Sequence, residues 1–366
     1  MTVKNQNYAL QNLAHGVVSF IGIGWLLHIG SSIVMPFIFA ILVAVFLYPI
    51  ENRLRKLVKW KGLSITLSFL CLIIPFVIIT TLFSFQLMSI MESLPSISKG
   101  VQGGLDKIIN KANEILPFLN LEKEQVLSGD ASKNLEGPLR FISQGLLSTT
   151  EILAAFGFTI IYSFFLLFYR ESIKNFIIFQ FEKSARSDIK ETLSKIKETI
   201  QSYIGGLGLV VVILSVLNSI GLSLIGIDHA IFWGVLAGIL AIIPYIGTML
   251  GGFLPFIYAL STAEASWQPY AVVVYYMVIQ QVEGNFITPK IVGDKVDINP
   301  LFAILSIVFF ASFWGVAGII LALPIISIAK IILSNFENTL PYAVLMSSDV
   351  SNKKGHFKKI AKGNNN

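Results

Sequence analysis

HAIFWGVLAGILAIIPYIGTMLGGFLPFIYALSTA, residues 229–263, runs for 35 positions without an Asp, Glu, Lys or Arg. As one straight helix, residues 230–262 would extend about 50 Å at 1.5 Å per residue, well beyond a hydrocarbon core of about 30 Å. The stretch is also interrupted, by Pro244, Gly247, Gly251, Gly252 and Pro255. It is too apolar for a soluble domain and too long and broken for one simple crossing. Two forms fit: a strongly tilted, kinked helix, or two short helices that meet inside the membrane. Residues 300–333 raise the same problem, with Gly315, Gly318 and Pro324 inside an uncharged run from Leu301 to Ala329.

The rest of the chain reads the same way. Hydrophobic residues make up 54% and charged residues 13%, about half the charge of a soluble domain, and the mean hydropathy is +0.74. Further charge-free runs cover Asn5–Ile50, Gly62–Met91 and Gln201–Ile227, each longer than the roughly 20 residues a spanning helix needs. Strand alternation is absent, which points to helices and not a barrel. The expected fold class is an all-α polytopic membrane protein with about eight apolar segments, some broken or re-entrant. They fall near 15–30, 32–50, 63–91, 150–169, 202–226, 230–262, 267–282 and 300–333. His15–Ile50 reads as retained membrane helices and not as a cleaved signal.

Basic loops orient these segments by the positive-inside rule. ENRLRKLVKWK (51–61) carries five Lys/Arg against one Glu, residues 170–200 carry seven Lys/Arg, and SNKKGHFKKIAK (351–362) carries five lysines and no acid. All three are expected in the cytoplasm. The formal charge of +6 is thus a membrane-orientation signal, and nucleic acid is not an expected partner. The organisation predicted is 1–91, N-terminal transmembrane helices; 92–149, a small helical extracytoplasmic insertion; 150–200, a transmembrane helix followed by an amphipathic helix along the cytoplasmic surface; 201–340, a transport core with the two broken segments; and 341–366, a basic cytoplasmic tail. The surface helix would seat Phe176, Ile177, Phe179 and Phe181 in the interface and turn its cations to anionic headgroups.

The two broken segments resemble each other. FWGVLAGILAIIP (232–244) aligns with FWGVAGIILALP (313–324) when Leu236 is skipped, with eight of twelve positions identical. Paired broken segments point to a transporter's binding site, because freed backbone groups must be buried in protein or line a watery cavity. The competing reading is Gly and Pro used only for close helix packing.

Between the apolar walls lies QQVEGNFITPKIVGDKVDINP (280–300). Glu283 continues the preceding span at helical spacing from Ile279 and Tyr276. A charge at the bilayer centre costs about 2.5–3.5 kcal/mol, so Glu283 should face protein or water. Gln280, Gln281, Glu283 and Asn285 are the substrate- or ion-binding candidates, with Tyr245, just beyond Pro244, facing them. In the alternative, Glu283 is interfacial and Asn285 caps a turn with Gly284. Lys290 is a candidate ion-pair partner for Glu283, or snorkels to the headgroups. Asn218, a lone polar residue in the 202–226 span, is expected to hydrogen-bond between helices. Pro289 and Pro300 are read as turn-setting. They complete the set of helix-break or hinge candidates with Pro244, Gly247, Gly251, Gly252, Gly315, Gly318 and Pro324. The side of the membrane on which 283–299 lies depends on whether the long segments are hairpins; hairpins would place it in the cytoplasm.

Other chemistries find no support. Histidines 15, 28, 229 and 356 make no metal-binding spacing, Cys71 is the single cysteine, and no P-loop, nucleotide fingerprint or Ser/His dyad is present. No enzyme activity, cofactor or metal site is expected.

PYIGTMLGGFLP (244–255), the QxxEGNFITPKIVGDKVDINP motif ending at Pro300, and the final Gly-rich span ending ALP (322–324) together resemble the AI-2E family of bacterial membrane transporters. The layout agrees over nearly the whole chain, whereas the N-terminal half matches only in layout. The resemblance implies a multi-pass inner-membrane protein and a homo-oligomer, with pentamers described for the family. The function expected first is secondary transport that exports a small polar solute such as autoinducer-2, with sodium- or lithium-proton antiport as the alternative the resemblance also implies. An oligomeric scaffold or channel without coupled transport is the remaining class.

Overall fold

In the computed structural model, the described residues are 24–92, 149–244, 246–262, 265–291, 297–336 and 338–348, with isolated positions 18, 22 and 113. Their regular structure is entirely helical. The expected extracytoplasmic insertion (92–149), its ends and residue 113 apart, lies outside the described residues, as does most of the tail. Helix α1 is Ser31–Leu57, α2 Lys61–Glu92, α3 Thr149–Phe168 and α4 Arg170–Phe179. Then come α5, Arg186–Ile225, α6, Ala230–Leu240, α7, Ile246–Thr262, and α8, Gln268–Val282. A π turn at Glu283–Ile287 leads into α9 (Thr288–Ile291), and α10 (Pro300–Leu333) and α11 (Leu340–Leu345) complete the series. Four helices, α1, α2, α5 and α10, are long and apolar enough to cross a membrane, and the bent pair α3–α4 makes a fifth candidate. This is a multi-pass helical membrane protein.

Residues 170–200 were expected to form one surface helix, and the structure corrects that. Helix α4 leaves α3 at 67°, and α5 begins at Arg186 and runs unbroken through the apolar span to Ile225. The amphipathic pattern of 186–200 is therefore the end of a spanning helix.

The chain forms two compact units. The first comprises residues 1–52, 153–200 and 297–366. Within it, α1 and α3 run parallel: Thr159 Oγ1 donates to Pro36 O at 3.4 Å and Ser163 Oγ to Ala40 O at 3.1 Å, with a constant sequence offset. Small hydroxyl residues of this kind let apolar helices approach closely and bond across the seam. Both helices end at basic sequence, which is what the positive-inside rule expects of two helices that share one direction.

Helix α10 is a hairpin. Gly315 has φ 58° and ψ −136°, a conformation essentially open only to glycine. A straight helix would hold Lys330 about 45 Å from Pro300, yet Lys330 Nζ donates to Asp297 Oδ2 at 2.6 Å. A Cβ on Gly318 would lie 1.9 Å from the carbonyl oxygen of Phe310, which only a sharp fold-back allows. Asn299 caps the first arm by accepting from Phe302 N–H at 3.0 Å, with Pro300 in the first turn. At the hairpin's base, Asp297 is clasped by Lys330 and accepts from Ser348 N–H at 3.0 Å. Burial alone would raise the Asp297 carboxyl, but these donors outweigh it and hold the group well below the usual carboxylate range. Pro324 was a break candidate; it lies inside the second arm, buried, and breaks nothing.

The second unit comprises residues 53–152 and 201–296. Here α6 and α7 form the other hairpin, with the described tip residues 241–244 between its arms. Trp233 and Tyr258 lie 5.2 Å apart across it, and Gly251 abuts Ala237 nearer the tip. At the tip a Cβ on Gly247 would lie 1.6 Å from Leu240 O. Gly234 and Gly238, four apart on α6, pack on Ser219 and Ser215 of α5, so closely that a Cβ on either would come within 2.3 Å of them. This small-xxx-small seam replaces hydrophobic drive with backbone proximity. Phe232 stacks on Phe83 of α2 at 4.2 Å, over a core that includes Leu222, Trp233, Leu254, Ala259 and Val272.

Both long segments are thus hairpins, but the aligned residues do not occupy equivalent places. Gly315 is the second hairpin's tip, whereas its counterpart Gly234 sits mid-arm in the first, whose tip comes later, at 241–244. The likeness lies in the element; the sequence match is out of register with it.

Candidate functional site

Tyr276, Ile279, Gln280 and Glu283 recur at helical spacing along α8, so one face carries all four. That face lines a cavity of about 20 Å³. Leu214 and Asn218, one turn apart on α5, form a second wall, and Thr248 and Gly251 of α7 a third. Ala237 and Ala241, at the end of α6, close it near the hairpin tip. Glycine makes the enclosure tight: a Cβ on Gly251 would meet Ala237 at 3.0 Å, and one on Gly252 would meet the Tyr276 ring at 3.0 Å. Beside it, Tyr275 lies in the notch left by Gly221 and donates its hydroxyl to Leu217 O at 2.7 Å. Gly251 and Gly252 were hinge candidates; the structure has them within continuous helix, as packing positions.

The polar groups around this cavity are unevenly satisfied. Asn218 is only 3% exposed, and its Oδ1 has no hydrogen-bond partner among the described residues. The Tyr276 hydroxyl is likewise buried without one. A buried unpaired polar atom costs on the order of 1–3 kcal/mol, so two of them beside one cavity point to a ligand. Gln280 Nε2 donates to Thr248 Oγ1 at 3.1 Å, tying α8 to α7. Glu283 is half-buried, and its carboxylate joins no ion pair among the described residues. Lys290 is exposed and does not pair with it.

Glu283 opens the π turn. Thr288 N–H donates to Glu283 O, five residues back, and this widened turn precedes Pro289. Proline lacks an N–H and its ring collides with the carbonyl four residues earlier; a π turn accommodates both. The helix therefore continues through Pro289 to Ile291, where the expected turn-setting role gave a break. The residues after it, 292–296, lie outside the described residues.

The candidates separate. Gln280 and Glu283 face the cavity, but Asn285 Nδ2 donates to Gln281 Oε1 at 3.1 Å on an exposed face, and neither residue lines it. Tyr245 lies outside the described residues. Asn218 makes no helix–helix hydrogen bond through Oδ1, contrary to its expected role, and is instead a wall of the cavity. Thr248 was not singled out in the sequence; its spacing of three from Gly251 on one helical face is the signal that leads to it. Among the described residues no group of three or more His, Cys, Asp or Glu could hold a metal ion.

The sequence model for AI-2E family transporters matches residues 16–338. A Haemophilus influenzae protein is 25% identical over 330 residues, covering 87% of this chain and 91% of the relative. Bacillus subtilis YueF is 26% identical over 325 residues, covering 82% and 86%. Escherichia coli YhhT is 22% identical over 345 residues, covering 94% and 95%. All three are named for transport, with no substrate in the name.

Proposed function

This chain belongs to the AI-2E transporter family, and from that premise we propose that it is a secondary transporter whose cavity at Glu283 binds a proton or monovalent cation. The observation that carries the reading is the buried, unpartnered Asn218 Oδ1 beside the half-buried Glu283. A cavity of about 20 Å³ matches one water-sized species, far below the roughly 300 Å³ of a small-molecule site. The pairing favours monovalent cation/proton antiport over direct binding of a polar solute such as autoinducer-2 at this place.

The chemistry follows from the donor set. A carboxylate, an amide oxygen and hydroxyl oxygens suit a hard monovalent cation, and protonated Glu283 needs an acceptor of the same kind. Bare Glu283 is costly in a low-dielectric wall. Either a proton or a cation removes that cost, and both cannot occupy one carboxylate together. Mutually exclusive occupancy is the condition for exchange. The protein would act in the inner membrane, as a homo-oligomer.

The test is reconstitution into liposomes with an imposed pH gradient, following sodium, lithium and autoinducer-2 in parallel. Wild type is expected to dissipate the gradient when sodium or lithium is added. E283Q is expected to lose that activity by about 100-fold or more, while Q281A and N285A retain it. Equal flux in wild type and E283Q for every solute would remove Glu283 from the mechanism. Gradient-driven autoinducer-2 flux with no cation effect would restore the solute-export reading. No flux of any kind would favour a scaffold.

A further inference from the structure

A second cavity, of about 460 Å³, lies within the first unit among α1, α3, α4 and α5. Ile41, Ala44, Leu166, Leu167, Ile177 and Ile200 give it apolar walls, and four cations line it, Arg170 and Lys174 from α4 and Lys190 and Lys197 from α5. Against these four cations stand Glu171 in the wall and Glu51, which is 0% exposed and ion-paired to Arg170. The surplus is positive, and it is held in place. Tyr48 carries the Arg170 guanidinium 4.8 Å and the Lys197 ammonium 5.1 Å from its ring centroid. Lys174 and Lys190 have no ion-pair partner among the described residues.

We propose that this cavity is a binding site for one anionic phospholipid of the surrounding bilayer, with its phosphate among Arg170, Lys174, Lys190 and Lys197 and an acyl chain along the apolar wall. Three observations converge on a lipid in preference to a free anion. The cations stand over apolar walls, so the cavity is amphipathic in the same sense as a lipid. Helix α4 turns 67° away from α3 and exposes Phe176 and Phe179, as a helix lying in the headgroup layer does; its Arg170, Lys174 and Ile177 line the cavity. A wholly apolar cavity of about 440 Å³ shares Ile41 with this one, extending the apolar path along α1. Basic pockets between helices on the cytoplasmic side recognise acidic headgroups through these same forces.

The full chain in detergent, examined by native mass spectrometry with defined additives, tests this. The probes are palmitoyl-oleoyl phosphatidylglycerol, phosphatidylcholine with the same chains, and glycerophosphoglycerol, which has the headgroup but no chains. Wild type is expected to retain one phosphatidylglycerol. K190A/K197A, which removes two surface-reaching cations, should weaken it roughly thirtyfold. S194W, which blocks the cavity without changing charge, should weaken it at least tenfold while leaving the thermal melt unchanged. If S194W fails to fold, the double lysine variant alone decides. Retention of phosphatidylcholine equal to phosphatidylglycerol, equal binding of the chainless headgroup, undiminished binding by K190A/K197A, or no retained lipid in wild type would each overturn the proposal.

Discussion

Asn218 separates stability from activity at the level of one side chain. Its Oδ1 is buried with no partner among the described residues, so replacing the amide by an apolar group of similar size removes a penalty of on the order of 1–3 kcal/mol. N218L is expected to melt at the same temperature as wild type or higher, and to lose cation exchange by about tenfold or more. A variant that is destabilised and fully active would make Asn218 a structural residue. That Glu283 and Gln280 share one helix face is legible in the sequence because the helical repeat Tyr276, Ile279, Gln280, Glu283 is local, and a charge on that face demands an environment. Gln281 and Asn285 fall outside the cavity wall for a related reason. They are neighbours along the chain, but each helical residue turns about 100° from the last, and one step from Gln280 leads to an exposed face. Asn218 was seen as polar in an apolar span, but what it meets is decided by α6, α7 and α8, which no local pattern describes.

At the scale of elements, the two hairpins rest on a few glycines with different duties. Gly315 supplies a positive φ, whereas Gly247 and Gly318 supply room against a carbonyl of the preceding arm. G315A should destabilise the protein by about 1–3 kcal/mol through backbone strain. G318A should be at least as harmful, because its Cβ meets fixed backbone. The contrast is Gly208, inside α5 with nothing within 4 Å of its hypothetical Cβ. G208A is expected to leave stability unchanged or raise it by up to about 1 kcal/mol. Thermal unfolding of the three variants in one detergent checks the order; G315A melting with wild type would contradict a Gly315 hairpin tip. The sequence shows that 230–262 and 300–333 are too long for one straight crossing, but not which broken form each takes. Tilted helix and hairpin share one composition. The deciding contacts, such as Asp297 with Lys330, join residues 33 apart, and the shared FWG residues sit at different places in the two hairpins, so likeness of residues does not carry likeness of position.

At the scale of the molecule, two hairpins change the count of crossings and so the side on which each loop lies. With residues 51–61 in the cytoplasm by their charge, the parallel α1 and α3 both end there, and α5 starts there and emerges outside at Ile225. A hairpin returns to its own side, so α6–α7 begins and ends outside. The helix from Gln268 through the π turn to Ile291 is 24 residues long, enough to cross back. Asp297 and Lys330 then share the cytoplasmic face, which agrees with the basic tail. On that topology Glu283 would fall within the returning helix, toward its cytoplasmic end, where the proposed ion would reach it from the cell interior. Single cysteines in a C71S background test the arrangement with a membrane-impermeant maleimide. W267C should label from outside on intact cells, and K290C and S334C only after the cytoplasmic face is opened. Labelling of K290C from outside would require at least one hairpin to cross the membrane completely, and would move Glu283 to the opposite entrance of the transport path.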